Sequence, residues 1–241
     1  MHSPFVFQFI LHVLNNRSHY TPPGSIETLR KELLQDHHML VIEDLGAGSR
    51  IHASKRRTVQ QLARTAVKPR KLGEIFYRLS AYYQPKNIIE LGTSLGLTTA
   101  YLASGNPKAL VTTIEGSKAI HHKAKSNLEK LGLNNVDARL GNFDQLLPEI
   151  LLQTTPEVDL AYVDGNHRYE PTMEYFNQLL SHAHNDTILV FDDIHWSAEM
   201  EQAWKDIQQH PKVRCTVDIF FLGFVFLRNE FKLPQHFMVR F

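Results

Sequence analysis

Cysteine is nearly absent: Cys215 is the only one in 241 residues. An intramolecular disulfide and a multi-cysteine zinc site are thereby excluded, and the lone thiol reads as a small buried hydrophobe rather than a nucleophile. Such usage suits a reducing, cytoplasmic compartment. A charge excess of one sign is missing too. The net charge of +1 gives no global pull toward nucleic acid or membrane. No apolar run is long enough to span a bilayer. The N-terminal candidate, Phe5 to Leu14, is interrupted by Gln8 and His12. It has no basic stretch before it and no small-residue cleavage site after it, so it does not read as a signal peptide. Phe5, Phe9, His12 and Val13 share one helical face. That face predicts a docking or dimerisation helix, with a second copy of the chain as a candidate partner. Internal repeats and low-complexity segments are also lacking.

What is present is an α/β pattern. Up to about residue 70 the chain is helical and irregular, with a connector at Asn15 to Ser25 rich in Asn, Pro and Ser. Ser25 to Leu34 reads as a short helix capped by Ser25, with Thr28 in place of the usual Glu. Thr58 to Ala66 and Leu72 to Tyr83 read as two more. Strands and helices then alternate. Strands are expected at Ile88 to Leu91, Leu110 to Ile114, Val136 to Leu140, Leu160 to Val163 and Ile188 to Phe191. The helices between and after them are expected at Thr98 to Ala103, Lys118 to Leu131, Phe143 to Leu152, Thr172 to His182 and Glu199 to Gln209. Such alternation predicts parallel βαβ units in one sheet. Cys215 to Phe221 and Phe224 to Leu227 then join through Gly223 with no room for a helix. The expected fold is therefore α/β: a Rossmann-like, doubly wound, seven-stranded sheet, mostly parallel, ending in an antiparallel hairpin strand. Residues 1–71 form an N-terminal helical extension for lid, substrate or dimer contacts, and 72–241 form the ligand-binding domain.

The first strand of this domain ends in Ile88-Ile89-Glu90-Leu91-Gly92-Thr93-Ser94-Leu95-Gly96. Small ligands bind outside the carboxyl ends of strands in open α/β sheets. The spacing is E-x-G-x-x-x-G, whereas dinucleotide folds carry G-x-G-x-x-G to accommodate a pyrophosphate at the helix end. An acid before the turn suits a cationic ligand group better than a phosphate. Glu115 ends the next strand, before Gly116, where a carboxylate can accept from both ribose hydroxyls; the alternative is a surface acid. Asn142 and Phe143 follow the third strand, placed to hydrogen-bond and stack on an adenine; the alternative for Asn142 is a helix cap. The fourth strand ends in Asp164-Gly165-Asn166-His167, and the fifth in Asp192-Asp193-Ile194-His195. Asp164, Asp192 and Asp193 at one rim would repel one another unless a hard divalent cation lay between them: Mg²⁺, Ca²⁺ or Mn²⁺. The alternative is a helix cap at Asp192 and an ion pair at Asp193. His167 and His195 both lie close enough to serve as bases or ligands.

In this order, Glu90-x-Gly92-x-x-x-Gly96, Glu115, Gly141-Asn142 and Asp164 resemble the class I S-adenosylmethionine-dependent methyltransferases over about residues 72 to 228. The Val-Asp-Gly-Asn-His and Phe-Asp-Asp-Ile-His-Trp segments are similar to those of metal-dependent small-molecule O-methyltransferases. The resemblance implies that Glu90 and the loop Gly92, Thr93, Ser94 and Gly96 hold the methionine end of S-adenosylmethionine. It implies that Glu115 and Gly116 hold the ribose, and Asn142 and Phe143 the adenine, with Asp164 beside them. It also implies a Mg²⁺ on Asp164, Asp192 and Asp193 that holds the acceptor oxygen. A lysine base stands three residues after the first metal acid in catechol-type enzymes; here that residue is His167, and an imidazole can take the same proton.

Other features pull elsewhere. Ile42 to Ser49 looks like a second copy of the loop motif, but no strand with an acid follows, so Gly46 to Arg50 reads as a turn or a loop near the substrate. Arg50 to Lys71 carries eight Lys or Arg and no acid. It reads as a solvated face, or as a surface for RNA or a phosphorylated substrate. His37-His38 and His121-His122 read as surface residues. The main expectation is an enzyme (EC 2.1.1.-) that methylates a hydroxyl of a small molecule. The alternatives are an RNA or protein methyltransferase recruited through the basic segment, and a non-catalytic cofactor-binding scaffold. The Asn-Pro-Pro-aromatic signature of amino-group methylation on nucleobases is missing, and neither nucleic acid nor membrane is the expected partner.

Overall fold

Strands and helices alternate as the apolar periodicity predicts. In the computed structural model the described residues are 3–15, 19–42, 56–153 and 157–241. Along the chain run α1 (Pro4–Phe9), continued by a π-helical turn (Ile10–Leu14), α2 (Gly24–Leu33), β1 (Met39–Val41), β2 (Arg56–Thr58), α3 (Val59–Thr65) and α4 (Arg70–Tyr83). Then come β3 (Asn87–Leu91), α5 (Leu97–Gly105), β4 (Leu110–Glu115), α6 (Lys118–Lys130), β5 (Val136–Leu140) and α7 (Phe143–Gln153). Last are β6 (Val158–Val163), α8 (Tyr169–Ser181), β7 (Ala183–Asp192), α9 (Ala198–Gln209), β8 (Cys215–Asp218), β9 (Leu222–Phe226) and β10 (Gln235–Met238). Contacts divide the chain into two units: Met1–Lys86 with Thr93–Asn142, and Asn87–Gly92 with Phe143–Phe241.

In the first unit, Ser3 caps α1 by accepting from the Val6 amide, and Pro4 occupies the first helical turn. Val6, Phe9, Val13 and Leu14 are buried. His12 stacks on Tyr82 of α4, with ring centroids 4.8 Å apart. The docking helix therefore docks on its own chain. Arg78 of α4 is 2% exposed and donates from Nε to the Val13 carbonyl (2.5 Å) and from Nη2 to the Leu14 carbonyl (3.0 Å). It thus satisfies carbonyls that a helix end leaves without partners. The α2 start differs from expectation. Gly24 opens the helix, Pro23 stands at the cap without a side-chain bond, and Ser25 lies in the first turn. The Thr28 hydroxyl donates back to the Gly24 carbonyl. Thr58 and Gln61 instead form a full capping box at α3. The extension also contains strands, since β1 and β2 pair antiparallel with Leu40 opposite Arg57. Met39-Leu40-Val41 alternates exposed, buried, exposed, the period of a strand. Strands β4 and β5 are parallel. His37 and His38 are exposed, but His121 is not: it is 8% exposed and its Nε2 bonds the Ala138 carbonyl at 3.1 Å. On α6 it faces β5, where a ring nitrogen can satisfy a strand-edge carbonyl.

The second unit holds strands in the order β10-β8-β9-β7-β6-β3. β3, β6 and β7 are mutually parallel, and β9 lies antiparallel to both β7 and β8. The terminal hairpin is as expected. Its consequence is a mixed sheet with the apolar strands Val158–Val163 and 187–192 covered on both faces. With β4 and β5, the strands from β3 onward number eight among the described residues, not seven. The addition is β10, which pairs parallel with β8, Gln235 opposite Cys215. Cys215 is fully buried, as its isolation in the sequence implies. No helix among the described residues is long and apolar enough to cross a membrane.

Candidate active site

In the first unit the chain leaves Gly92 through Thr93, Ser94 and Gly96 into α5. The Thr93 amide donates to the Ile114 carbonyl (3.2 Å), and its hydroxyl bonds that of Thr113 (2.6 Å). Thr93 is therefore committed to holding the loop down. Ser94 has φ 49°, left-handed for a residue with a side chain, and Gly96, at the N-terminal cap of α5, has φ 81°. The Glu115 carboxylate closes this loop. Its Oε2 accepts from the Ser94 amide at 3.0 Å and its Oε1 from the Ser117 amide at 2.9 Å, across Gly116. Burial raises the Glu115 pKa, opposed by these backbone amides. The Gly116 amide bears on the same carboxylate, so three backbone donors hold it at the strand end. Asn127 of α6 was not singled out by sequence. It is 4% exposed and donates from Nδ2 to the Leu95 carbonyl (2.9 Å), which fixes the loop from beneath. Its signal, a lone Asn on the apolar stripe of α6, is too common to stand out. Asn142 is half-buried and directly precedes α7.

In the second unit, pairing puts Glu90 opposite Tyr162, and Tyr162 opposite Val190. Paired residues share a face and the side-chain period is two, so Asp164 and Asp192 extend that face at the strand ends. Glu90 has no exposed surface and Asp192 is 1% exposed. The Tyr162 hydroxyl donates to Asp164 Oδ2 at 2.9 Å. Its pKa is raised well above the phenol range, first by burial and then by the Asp164, Asp192 and Glu90 carboxylates, so it stays a donor. Gly92 has φ 104°, and a Cβ there would lie 2.0 Å from the Asp164 carbonyl oxygen, so only glycine lets β3 and β6 run this close. Asp164 and Asn166 (φ 54°) lead to His167, whose Nε2 lies 3.6 Å from Asp164 Oδ1 and 4.0 Å from Asp193 Oδ2. Asp193 would leave the strand on the opposite face, but its φ of 51° turns it back toward His167, and its amide is held by the Phe221 carbonyl at 2.8 Å. Phe143 packs edge-on against Tyr175, with centroids 6.0 Å apart.

One expectation parts company with this arrangement. His195 does not join His167: its Nε2 bonds Asp218 Oδ2 at 2.8 Å and its ring stacks on Phe220. It lines a separate cavity of about 390 Å³ with Trp204, Lys205, His236 and Phe237. A metal ion on Asp164, Asp192 and Asp193 is not shown. Among the described residues no group of three or more His, Cys, Asp or Glu side chains could hold an ion. Asp164 is bonded by Tyr162 and faces His167, and Asp192 is buried. The loop motif at Gly46 to Arg50 lies outside the described residues, as does part of the basic segment.

Sequence comparison picks out residues 89–194, a stretch that runs from β3 to just past β7. That stretch matches the family described as Methyltransferase domain. The chain is 29% identical over 124 residues to the catechol O-methyltransferase of Niastella koreensis, covering 51% of this chain and 55% of that protein. It is 33% identical over 108 residues to a protein-L-isoaspartate O-methyltransferase of Shewanella denitrificans, covering 40% and 50%. The chain thus spans about half the length of the curated relatives it matches. In fold it is similar to an O-methyltransferase from Bacillus cereus solved with S-adenosylhomocysteine (TM-score 0.63, 20% identity, covering 92% of this chain and 97% of that one). It is also similar to the O-methyltransferase TomG from Streptomyces achromogenes, solved with S-adenosylmethionine (TM-score 0.60, 20% identity, covering 70% and 87%).

Proposed function

We propose that this chain transfers a methyl group from S-adenosylmethionine to a hydroxyl oxygen of a small molecule. The observation that carries the reading is Glu115, held by backbone amides at the end of β4, where a carboxylate is placed to accept from a ribose diol. The expectation that residues 1–71 contact the acceptor or a second copy, and a cytoplasmic location, belong to the same reading.

Bound S-adenosylmethionine supplies an electrophilic methyl group on a sulfonium. The Gly92 to Gly96 loop and Glu115 hold its amino-acid and ribose portions, and Asn142 with Phe143 its adenine. Ordering the acceptor in line with the methyl group contributes up to about 7–11 kcal/mol of barrier lowering. His167 takes the acceptor's proton on its imidazole as the O–CH₃ bond forms and the S–CH₃ bond breaks. Asp164 and Asp193 flank the ring and stabilise the imidazolium that results. The products are the methyl ether and S-adenosylhomocysteine. No step is assigned to a divalent ion; rates measured with Mg²⁺ and with EDTA separate a metal-assisted version from a metal-free one. The similarity to a protein-L-isoaspartate O-methyltransferase favours a second reading, with a protein carboxylate as acceptor. The experiment is calorimetric titration with S-adenosylhomocysteine, followed by a screen of catechols, other phenols, sugars and isoaspartyl peptides with labelled methyl donor. No binding of the nucleoside overturns the proposal; methylation confined to the peptides selects the second reading.

A further inference from the structure

Tyr175 of α8 is fully buried, yet it lies outside every motif of the methyl-donor reading. Its hydroxyl uses both of its hydrogen-bonding functions. It donates to Asp144 Oδ1 at 2.6 Å and accepts from Asn166 Nδ2 at 3.2 Å. Asp144 sits in the first turn of α7, next to Phe143. Asn166 sits one residue before His167, in a left-handed conformation that Asn adopts more readily than most residues with a side chain. The Tyr175 ring also meets the edge of Phe143 at 78°. The other side of the Phe143 ring lies against Gly165, where an added Cβ would come within 2.6 Å of the ring. One phenol therefore touches the start of α7, which follows the adenine-side residue Asn142, and the loop that carries the proton acceptor.

We infer that Tyr175 is a positioning residue that sets the adenine-side segment at Phe143 and the base-bearing loop at Asn166 with a single side chain. The inference rests on the methyl-donor reading above. Burial raises the Tyr175 pKa, first by desolvation and then through its bond to Asp144, so the hydroxyl remains a donor at every physiological pH. Removing the oxygen and keeping the ring releases Asp144 and Asn166 while Phe143 retains its neighbour. Asp144 is exposed, so water replaces the lost bond and the fold survives. What is lost is the fixed geometry of the two segments.

The test uses the full chain and S-adenosylhomocysteine. Wild-type binding by calorimetry supports the methyl-donor reading; no binding there overturns that reading and the inference with it. Given wild-type binding, Tyr175→Phe weakens it about tenfold, the scale of one hydrogen bond to a charged group. The melting temperature stays within a few degrees. Asp144→Ala, at an exposed position, gives the same loss and serves as the test if Tyr175→Phe fails to fold. Asp144→Asn keeps an oxygen acceptor and restores binding to within about twofold. The double variant Tyr175→Phe/Asp144→Ala binds no more weakly than either single one, because both remove the same bond. Unchanged binding in Tyr175→Phe, or additive losses in the double variant, overturns the inference.

Discussion

Gly92→Ala is the sharpest test of how the strand ends are built. The new Cβ would lie 2.0 Å from the Asp164 carbonyl oxygen and 3.0 Å from its carbonyl carbon. Both atoms belong to the backbone, so no side chain can swing away to make room. The Asp164 amide donates to the Leu91 carbonyl at 2.8 Å, so separating the chains also stretches a sheet bond. The φ of 104° adds a penalty of about 1–2 kcal/mol for any residue with a Cβ. Overpacking adds about 1–3 kcal/mol. Together they predict a loss of about 2–5 kcal/mol, which for a chain of this length lowers the melting temperature by about 4–20 °C. Scanning calorimetry on the purified variant reads the loss directly. The shift of Asp164 also moves His167 away from its flanking acids, so methyl transfer falls more steeply than stability. A melting temperature within 2 °C of wild type (roughly, by the same scaling) would refute the close approach of β3 and β6 on which the site rests.

Further outcomes can be stated from the same geometry. His167→Ala lowers the rate of methyl transfer by about 10²–10⁴-fold, while S-adenosylhomocysteine affinity measured by calorimetry changes little. Glu115 has a raised folded pKa, so its contribution to stability is fully present below the ordinary carboxyl value and is lost as pH rises through the folded value. Ligand binding runs the other way. Protonation removes an acceptor for the ribose, so S-adenosylhomocysteine affinity falls as pH is lowered through the raised Glu115 pKa, and Glu115→Gln flattens that slope in pH-dependent calorimetry. Cys215 is buried with its thiol pushed up to about 12, so iodoacetamide at pH 8 (roughly the ordinary thiol range) leaves it unmodified by mass spectrometry until denaturant is added.

The order of strand-end residues was legible because each follows an apolar run that can only be a strand, and each lies at the same end of it. Glu90, Glu115, Asp164 and Asp192 all stand there. What local pattern does not carry is partner choice. His167 and His195 each follow an aspartate by three residues, at Asp164 and Asp192 respectively, and look equivalent in sequence. Asp218, on a strand formed much later in the chain, draws His195 away. β10 lacks a local sequence signal for a related reason. Gln235-His236-Phe237-Met238 alternates half-buried and exposed, and its pairing with β8 decides that it is a strand. Arg78 reads as a solvent-facing charge on an amphipathic helix until the N-terminal helix end that it satisfies is in view.

Ser94, Asn166 and Asp193 hold left-handed backbones that glycine would adopt at lower cost, and each sits just beyond a strand end. The two units thus keep conformational energy in store at the positions that aim their polar groups. Selection for thermal robustness alone would drift toward glycine at these three places, gaining stability while loosening the aim of the Ser94 amide and deleting the Asp193 carboxylate. In this chain, resistance to heat and the capacity for chemistry compete for the same few torsion angles.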